Sequence, residues 1–297
     1  MIKLRKFLFL LYFSFLAGLP ALSGCSKKQA IKSPSTDSTP AAQLEISPVN
    51  TTRDAALKRD DEQRKAAYAY TLSNCDGEVR WVSIKMVCEK DGELQFEAEP
   101  VMSGSFSSPG VSEVLLLITD TINRMPGEGY QFGQLMRWNG DNFNQGITLT
   151  EKQMDKNVTL PPLEGDSIEI LGRFNRPDNT DVLVVCTSFS FHGEFQQNCF
   201  PWCVNQGPQD FYFEFSDNAA LAAMPGDTYV TKKLTSHQEK LFDDSSGLIT
   251  INATYTKGHI EEDETRHTDK QEEYTFKIKF KDGILTTTIP APFTGNQ

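Results

Sequence analysis

Alternation of apolar and polar residues dominates the chain after residue 68 and predicts β-strands. The clearest case runs from Tyr274 to Phe280, where aromatic and aliphatic residues take every second position and lysine or threonine lies between them. A period of two places the apolar side chains on one face of a strand and the cations on the other. The dipeptide Asp282-Gly283 follows and suits the left-handed backbone of a tight turn. We therefore predict a hairpin whose second strand covers 284–289.

Similar patterns occur earlier in the chain and predict strands joined by tight turns throughout residues 68–297. Asp76-Gly77, Asp91-Gly92 and Asn139-Gly140 are further turn dipeptides flanked by apolar or aromatic runs. The other strands predicted from these runs cover 79–88, 94–99, 114–119, 132–138, 167–171, 182–188, 211–215 and 248–256. No convincing helical period occurs after residue 68, so we expect an all-β domain of antiparallel hairpins.

One helix is predicted before this domain, over residues 51–67. The segment is rich in Ala, Lys, Arg, Asp and Glu, and Thr51 and Thr52 are suitable N-caps. Its apolar face is thin, so we expect a short helix at the surface.

One building block occurs twice in the sequence. Residues 104–117 contain a Gly-x-Phe corner, a polar loop, a carboxylate and an aliphatic run, and residues 172–185 repeat this order 68 residues later. The shared positions are Gly104, Phe106 and Glu113 in the first copy and Gly172, Phe174 and Asp181 in the second. A weaker third copy, without the glycine and the carboxylate, begins at Lys240. Spacing of this size indicates a repeated supersecondary unit.

The repeat resembles the FG-GAP repeat of integrin-type β-propellers. The resemblance implies propeller-like blades, which we favour over the alternative of a β-sandwich, although recurring hairpins fit both. Repeats of the family often bind calcium in the loop. Here Arg173, Pro109 and Pro177 stand where calcium would need oxygen ligands, so we expect no calcium. We expect the carboxylates of Glu113 and Asp181 to bond backbone amides in the turn.

The first 25 residues have the organisation of an export signal. Lys3, Arg5 and Lys6 precede an apolar run over 7–17 that is too short to span a bilayer. Leu22-Ser23-Gly24-Cys25 resembles the lipobox of bacterial lipoproteins, which implies cleavage after residue 24 and a lipid on Cys25. The alternative is an ordinary secretory signal.

These observations predict a signal peptide over 1–24 and a disordered tether over 25–50, a segment rich in Ser, Thr and Pro. By the lipobox resemblance, the protein is lipid-anchored in the bacterial cell envelope. Ser26 after the cysteine favours the outer membrane, with the domain facing the periplasm.

Charge restricts the classes of partner. The chain carries 29 Lys and Arg against 40 Asp and Glu, and loss of three cations with the signal peptide brings the net charge near −14. Such a surface repels phosphate, so we expect no nucleic acid partner. We expect membrane contact only through the N-terminal lipid.

Five cysteines remain besides the predicted lipidation site. Disulfides are expected because an exported domain meets an oxidising compartment. Cys75 and Cys88 are the preferred pair, since they flank one turn and the strand after it. Cys186 is expected to join Cys199 or Cys203, which leaves one thiol over.

No metal or other cofactor is expected. His192, Cys199 and Cys203 form a candidate zinc set, but their spacing differs from that of zinc deaminases and disulfides compete for the sulfurs. His259 and His267 bracket an acidic run, which we interpret as the solvated tip of a hairpin rather than as a cation site.

Aromatic residues are concentrated around the second copy. Trp202, Phe211 and Tyr212 are a candidate binding patch, on the condition that they are exposed together. The sequence contains no nucleophile elbow, no His-Glu-x-x-His motif and no phosphate-binding glycine loop.

We therefore expect a non-catalytic binding or scaffolding module whose partner is an envelope protein or a glycan. The alternative is an envelope hydrolase or carbohydrate-active enzyme that uses carboxylates such as Asp178, Asp181 or Glu194. Two carboxyl groups facing each other across a cleft would favour that enzyme.

Overall fold

The computed structural model describes residues 51–122, 130–151, 160–204, 211–243 and 245–294, without the side chains of 51–59, 191 and 243. The predicted signal peptide, Cys25 and the tether lie outside the described residues. All described residues belong to one structural unit, Pro48–Gln297.

The described residues form one α-helix, fifteen strands and a short 3₁₀ helix, which confirms the all-β prediction. The helix is α1, Thr51–Asn74. The first sheet, sheet A, contains β1 Glu78–Val82, β2 Lys85–Lys90, β3 Glu93–Gly104, β4 Glu113–Asp120, β5 Tyr130–Trp138, β6 Phe143–Leu149 and β7 Glu164–Gly165. The second sheet, sheet B, contains β8 Ser167–Asn175, β9 Asp181–Phe191, β10 Glu194–Trp202, β11 Phe213–Asp217, β12 Thr228–Asp243, β13 Ser246–Ile260, β14 Arg266–Lys281 and β15 Ile284–Thr287. The 3₁₀ helix is Ala291–Phe293.

Both sheets are antiparallel, and their strands follow one another in chain order except for β7, which pairs with β5. Three of the four turn dipeptides close hairpins as predicted. Asp91-Gly92 and Asp282-Gly283 have positive φ at both residues, and Gly140 has a φ of 106°. The predicted strand over 79–88 is instead two strands, because Ser83 takes a φ of 57° and reverses the chain.

Helix α1 is seven residues longer than predicted and is not only a surface helix. Ala66, Ala67, Tyr70 and Thr71 form a fully or nearly fully buried stripe on its last turns, with the spacing of a helical face. This stripe continues past residue 67 and packs on sheet A. The helix ends at Asn74, just before the disulfide-bonded Cys75. Among the described residues, no helix is long and apolar enough to cross a membrane.

The aliphatic runs of the two copies are buried on both faces, which explains why they lack alternation. Leu115 and Leu117 of β4 pack with Leu183 and Val185 of β9 in a cluster between the two sheets. The intervening residues of β4 pack against α1. Sheet A therefore lies between the helix and sheet B. Each such side chain contributes about 1.5–3 kcal/mol when it is fully buried.

Sheet B is folded so that its two halves enclose a core of their own. Val182 and Val184 of β9 share this cluster with Ile249 and Ile251 of β13. The strands after β11 thus form a third β layer, and the stacking of layers is sandwich-like. On β13 every second residue from Leu248 to Asn252 is only half-buried. The strand of the third copy is therefore buried more on one face than on the other, unlike the aliphatic runs of the first two copies.

Two disulfides are present among the described residues. Cys75 pairs with Cys88, which confirms the preferred pair, and Cys186 pairs with Cys199. The latter two residues lie directly opposite each other on β9 and β10. Cys203 is the cysteine left over as a thiol, and it is buried.

Replacement of Cys75 and Cys88 by serine is expected to lower the free energy of unfolding by about 3 kcal/mol. The disulfide closes a loop of sequence separation 13. Closing a loop of about 15 residues stabilises the fold by about 3 kcal/mol, because it lowers the conformational entropy of the unfolded chain. Guanidinium unfolding of the double variant and the wild type measures the difference. A change below about 1 kcal/mol would contradict a structural role for this disulfide.

Candidate functional site

The two sequence copies are both β-hairpins, and the carboxylate of the first organises its own loop. The copies correspond to β3–β4 and β8–β9. Glu113 begins β4 and accepts hydrogen bonds from the N–H groups of Phe106 and Ser107, both at 2.8 Å. It is fully buried and is also paired with Arg137 at 3.1 Å. The predicted role of this carboxylate, bonding backbone amides in the turn, is confirmed.

Asp181 of the second copy bonds the first copy instead of its own turn. Its Oδ2 accepts the N–H of Ser105 at 2.7 Å, and its own N–H donates to the Ser105 carbonyl at 2.9 Å. Its Oδ1 accepts from Nε of Arg173 at 2.8 Å. A Cβ on Gly104 would lie 2.4 Å from Asp181 Oδ2, so only glycine allows this approach. The two copies are therefore joined directly.

A related contact joins the second copy to the third. The N–H of Arg173, the residue after Gly172, donates to Oε1 of Glu239 on β12 at 3.1 Å. A Cβ on Gly172 would lie 2.6 Å from Ile249 of β13. In both copies, the glycine of the Gly-x-Phe corner admits side chains of the next hairpin. These residues position the layers and do not form a ligand site.

The candidate calcium and zinc ligands are engaged in other bonds. Glu113 and Asp181 accept from N–H groups and arginine, and these donors take the oxygen lone pairs that a cation would need. Cys199 is disulfide-bonded, so its sulfur is not a thiolate ligand for zinc. Among the described residues, no group of three or more His, Cys, Asp or Glu is placed to hold a metal.

The acidic run between His259 and His267 lies at the tip of the β13–β14 hairpin. The two histidines are paired in register, and their rings lie 5.1 Å apart. His259 Nδ1 lies 2.8 Å from Oδ1 of Asp269. Both histidine side chains are more than one third exposed, as expected for a solvated tip.

The candidate binding patch of Trp202, Phe211 and Tyr212 is not formed. Trp202 is fully buried between the sheets, contacts Phe106, and donates its Nε1–H to the Pro161 carbonyl at 3.0 Å. Phe211 is half-buried against the core inside sheet B, and the Tyr212 hydroxyl donates to Oδ1 of Asn198. The prediction was wrong for Trp202 because this end of β10 is buried on both faces: Pro201 and Cys203 on either side of it are buried as well.

Two of the three carboxylates named for the alternative enzyme, Asp178 and Asp181, form hydrogen bonds that hold the local structure. Asp178 accepts from the hydroxyl and the N–H of Thr180 at 2.6 and 2.9 Å, and these bonds hold the pKa of Asp178 below its ordinary value. A general acid requires the opposite shift. Asp181 is buried in the contact between copies, and Glu194 is exposed at the start of β10.

The feature that sequence reasoning missed is a cleft of about 650 Å³ in sheet B. It lies where the two halves of the sheet diverge. β11 pairs with β12 only at Ser216 and Asp217, which face Lys232 and Thr231. Beyond this point β12 leaves β11, with a bulge between Leu234 and Ser236. Bulges of this kind often occur beside functional sites.

The floor of the cleft is apolar and its walls carry charged pairs. Phe215 is fully buried at the floor, Leu234 is half-buried beside it, and Phe195 is 38% exposed near the mouth. Gln197 and Arg266 also line the cleft.

Two ion pairs join lysines of β12 that line the cleft to carboxylates of β11: Lys232 with Glu214 at 3.4 Å and Lys233 with Asp217 at 3.0 Å. His237 Nδ1 of β12 lies 3.5 Å from Oε1 of Glu169 on β8. The Arg266 guanidinium donates to the Ala219 carbonyl at 2.7 Å. A concave site with an apolar floor and a few convergent polar groups is typical of ligand-binding pockets.

The cleft was missed because its two principal strands carry weak signals. The sequence of β12 is mainly polar, and its section at the cleft, residues 232–238, consists of Lys, Thr, Ser, His and Gln apart from Leu234. β10 likewise begins with the polar run from Glu194 to Asn198, broken only by Phe195. His192-Gly193 forms the turn of the β9–β10 hairpin, with φ of 50° and 89°. This dipeptide was the sequence feature from which the hairpin could have been predicted.

Comparisons with known proteins provide no relative from which a role could be transferred. The family models, the curated proteins and the solved structures yield no match to this chain. A function has to be argued from the cleft and its chemistry alone.

Proposed function

We propose that this protein is a lipid-anchored binding or scaffolding module of the bacterial cell envelope, and that the cleft of sheet B is its binding site. The observation that carries the proposal is the cleft itself, with an apolar floor and charged walls contributed by several strands. Because a β framework holds both walls, a ligand would be bound with little loss of conformational entropy. The partner is an envelope protein or a glycan.

The anchor and the location belong to the same proposal. The lipobox-like Leu22-Ser23-Gly24-Cys25 supports a lipid on Cys25 and attachment to the outer membrane. The acidic net charge of −11 supports a partner other than nucleic acid. The FG-GAP-like copies supply the layered framework in this proposal, without calcium.

Site-specific photo-cross-linking in cells tests the binding role. Thr235 is exposed on the bulge of β12 and lines the cleft, whereas Lys277 is exposed on β14 outside it. A photoreactive benzoylphenylalanine at position 235 of the full chain is expected to give a discrete adduct. The same group at position 277 is expected to give at least tenfold less. Protease and glycosidase digestion of the adduct identifies its class.

The variant Cys25→Ser serves as the control for the anchor. Labelled palmitate is expected to be incorporated into the wild-type chain and not into Cys25→Ser, because the thiol that would carry the lipid is lost. Equal adducts from positions 235 and 277, or none from 235, would contradict the cleft as the binding site. Equal incorporation of palmitate into both chains, or none into the wild type, would contradict a lipid on Cys25.

A further inference from the structure

Strand β12 has an open edge along the mouth of the cleft. It pairs with β13 along its whole length, from Thr228 to Asp243. Within the part of the chain that the structure describes, its pairing with β11 ends at Lys232. The following residues, from Lys233 to Phe242, therefore form one edge of a sheet.

The backbone groups at the start of this edge, before the bulge of β12, are directed correctly to accept another strand. The backbone groups of Val230 point away from β13. Its N–H donates to Oδ1 of Asn218, and its carbonyl accepts the N–H of Asn218. In an antiparallel strand alternate residues point to the same neighbour. Leu234 therefore directs its backbone groups to the same side, but lies beyond the last residue pair with β11.

The edge and the cleft share residues. Lys233, Leu234 and His237 belong to the open section of β12 and also line the cleft. A strand that pairs with this section would direct alternate side chains towards Phe195 and Phe215. Native edge strands are commonly protected by short length, charge or a bulge. β12 has a bulge and lysines, but its open section is long and adjoins a cavity.

Charge and apolar exposure along the edge indicate what such a strand would carry. At the cleft end Lys232 and Lys233 are paired with Glu214 and Asp217, whereas the described hydrogen bond of the Arg266 guanidinium goes to a backbone carbonyl, so Arg266 is the cation available to a ligand carboxylate. Leu241 and Phe242 at the other end are 61% and 59% exposed. An acidic residue would be favoured at the first end and apolar residues along the rest.

We propose that β12 binds an extended peptide by strand addition, with apolar side chains in the cleft and a carboxylate near Arg266. This inference rests on the proposed binding function and names the partner class as a peptide rather than a glycan. Main-chain hydrogen bonds would supply affinity, and the cleft would supply side-chain specificity.

Selection from a displayed library of random 12-residue peptides, with the full chain in detergent as bait, provides the probe. The selected peptides are expected to alternate apolar and polar residues and to contain an acidic residue. Their affinity for Arg266→Glu is expected to fall at least tenfold, because Arg266 is the cation of the cleft available to the peptide carboxylate. Lys277→Glu is the matched control, with the same charge change on an exposed residue of β14, and is expected to bind within threefold of the wild type.

Backbone N-methylation of one selected peptide separates strand addition from simple insertion into the cleft. One version of the peptide carries methyl groups on its odd-numbered amides, and the other version carries them on its even-numbered amides. One version is expected to bind at least tenfold more weakly, because only one set of amides donates to β12. The other version is expected to retain its affinity. Amide hydrogen exchange of 233–242 is expected to slow when the unmethylated peptide binds.

Three outcomes of the peptide experiments would overturn the inference. They are failure to select any peptide, equal effects of the two methylation patterns, and unchanged exchange of 233–242 in the presence of a bound peptide. If cross-linking from Thr235 still yields an adduct in these cases, the cleft remains a binding site and only strand addition is lost. If the adduct is a glycan, the peptide is the wrong partner class.

Discussion

Replacement of Trp202 by alanine is expected to lower the free energy of unfolding by about 3–5 kcal/mol, the usual cost of removing a large buried aromatic. Trp202 is fully buried in the cluster between sheets A and B. Its Nε1–H bonds the Pro161 carbonyl, and its ring contacts Phe106 at 5.8 Å between centroids. The substitution removes the ring, leaves a cavity between two layers and leaves one carbonyl without its donor. Guanidinium unfolding at equilibrium measures the change.

Trp138→Ala is the matched control. Trp138 lies at the end of β5, is 37% exposed and contacts Phe143. Its loss is expected to cost about 1 kcal/mol, since much of its surface remains in water. Similar losses in the two variants would contradict the assignment of Trp202 to the core. The folded fraction of Trp202→Ala is expected to keep its affinity for the selected peptides, because the residue does not line the cleft.

Replacement of Asp181 by alanine is expected to cost about 3 kcal/mol. The carboxylate is 2% exposed and joins two hairpins through Ser105 and Arg173. Its removal leaves the half-buried N–H of Ser105 without an acceptor, which costs about 1–3 kcal/mol when such a group is buried, and breaks an ion pair. Arg173 is 36% exposed at its side chain, so water screens part of the pair and the expected loss lies at the low end for buried pairs.

Asp178→Ala in the same loop is the control for this substitution. Asp178 is exposed and accepts only from Thr180 among its described hydrogen bonds, so its loss is expected to cost about 1 kcal/mol. Equal effects at both positions would contradict the role of Asp181 between the copies. A rise in Tm with millimolar calcium that Asp181→Ala abolishes would overturn the protein-only account of this carboxylate.

Local sequence determined most of the strands and their turns. The alternation after Tyr274 and the left-handed turn at Asp282-Gly283 depend on residues a few positions apart, so the hairpin could be predicted without knowledge of its surroundings. The doubly buried runs in β4 and β9 were also recognisable as strands. The pairing of Cys75 with Cys88 was predictable because both cysteines flank one short segment.

Tertiary structure decided which faces are buried and where a cavity remains. The sequence around Trp202 does not show whether its side chain is buried or exposed. The packing of sheet B on sheet A places it in the core between the two sheets. Asp181 was expected to serve its own turn, but its partner Ser105 lies 76 residues earlier in the chain. Such contacts depend on the stacking of layers, which no local pattern encodes.

The cleft shows the same limit most clearly. Sequence alone predicted β11 approximately and missed β12, whose polar residues carry no strong strand signal. The site arises because β12 pairs with β11 at two positions and then diverges across the other half of the sheet. The strand itself is a matter of local backbone conformation, whereas the divergence results from packing between residues far apart in sequence. The sequence therefore determined the class of fold and the turns, and tertiary packing alone determined the candidate site.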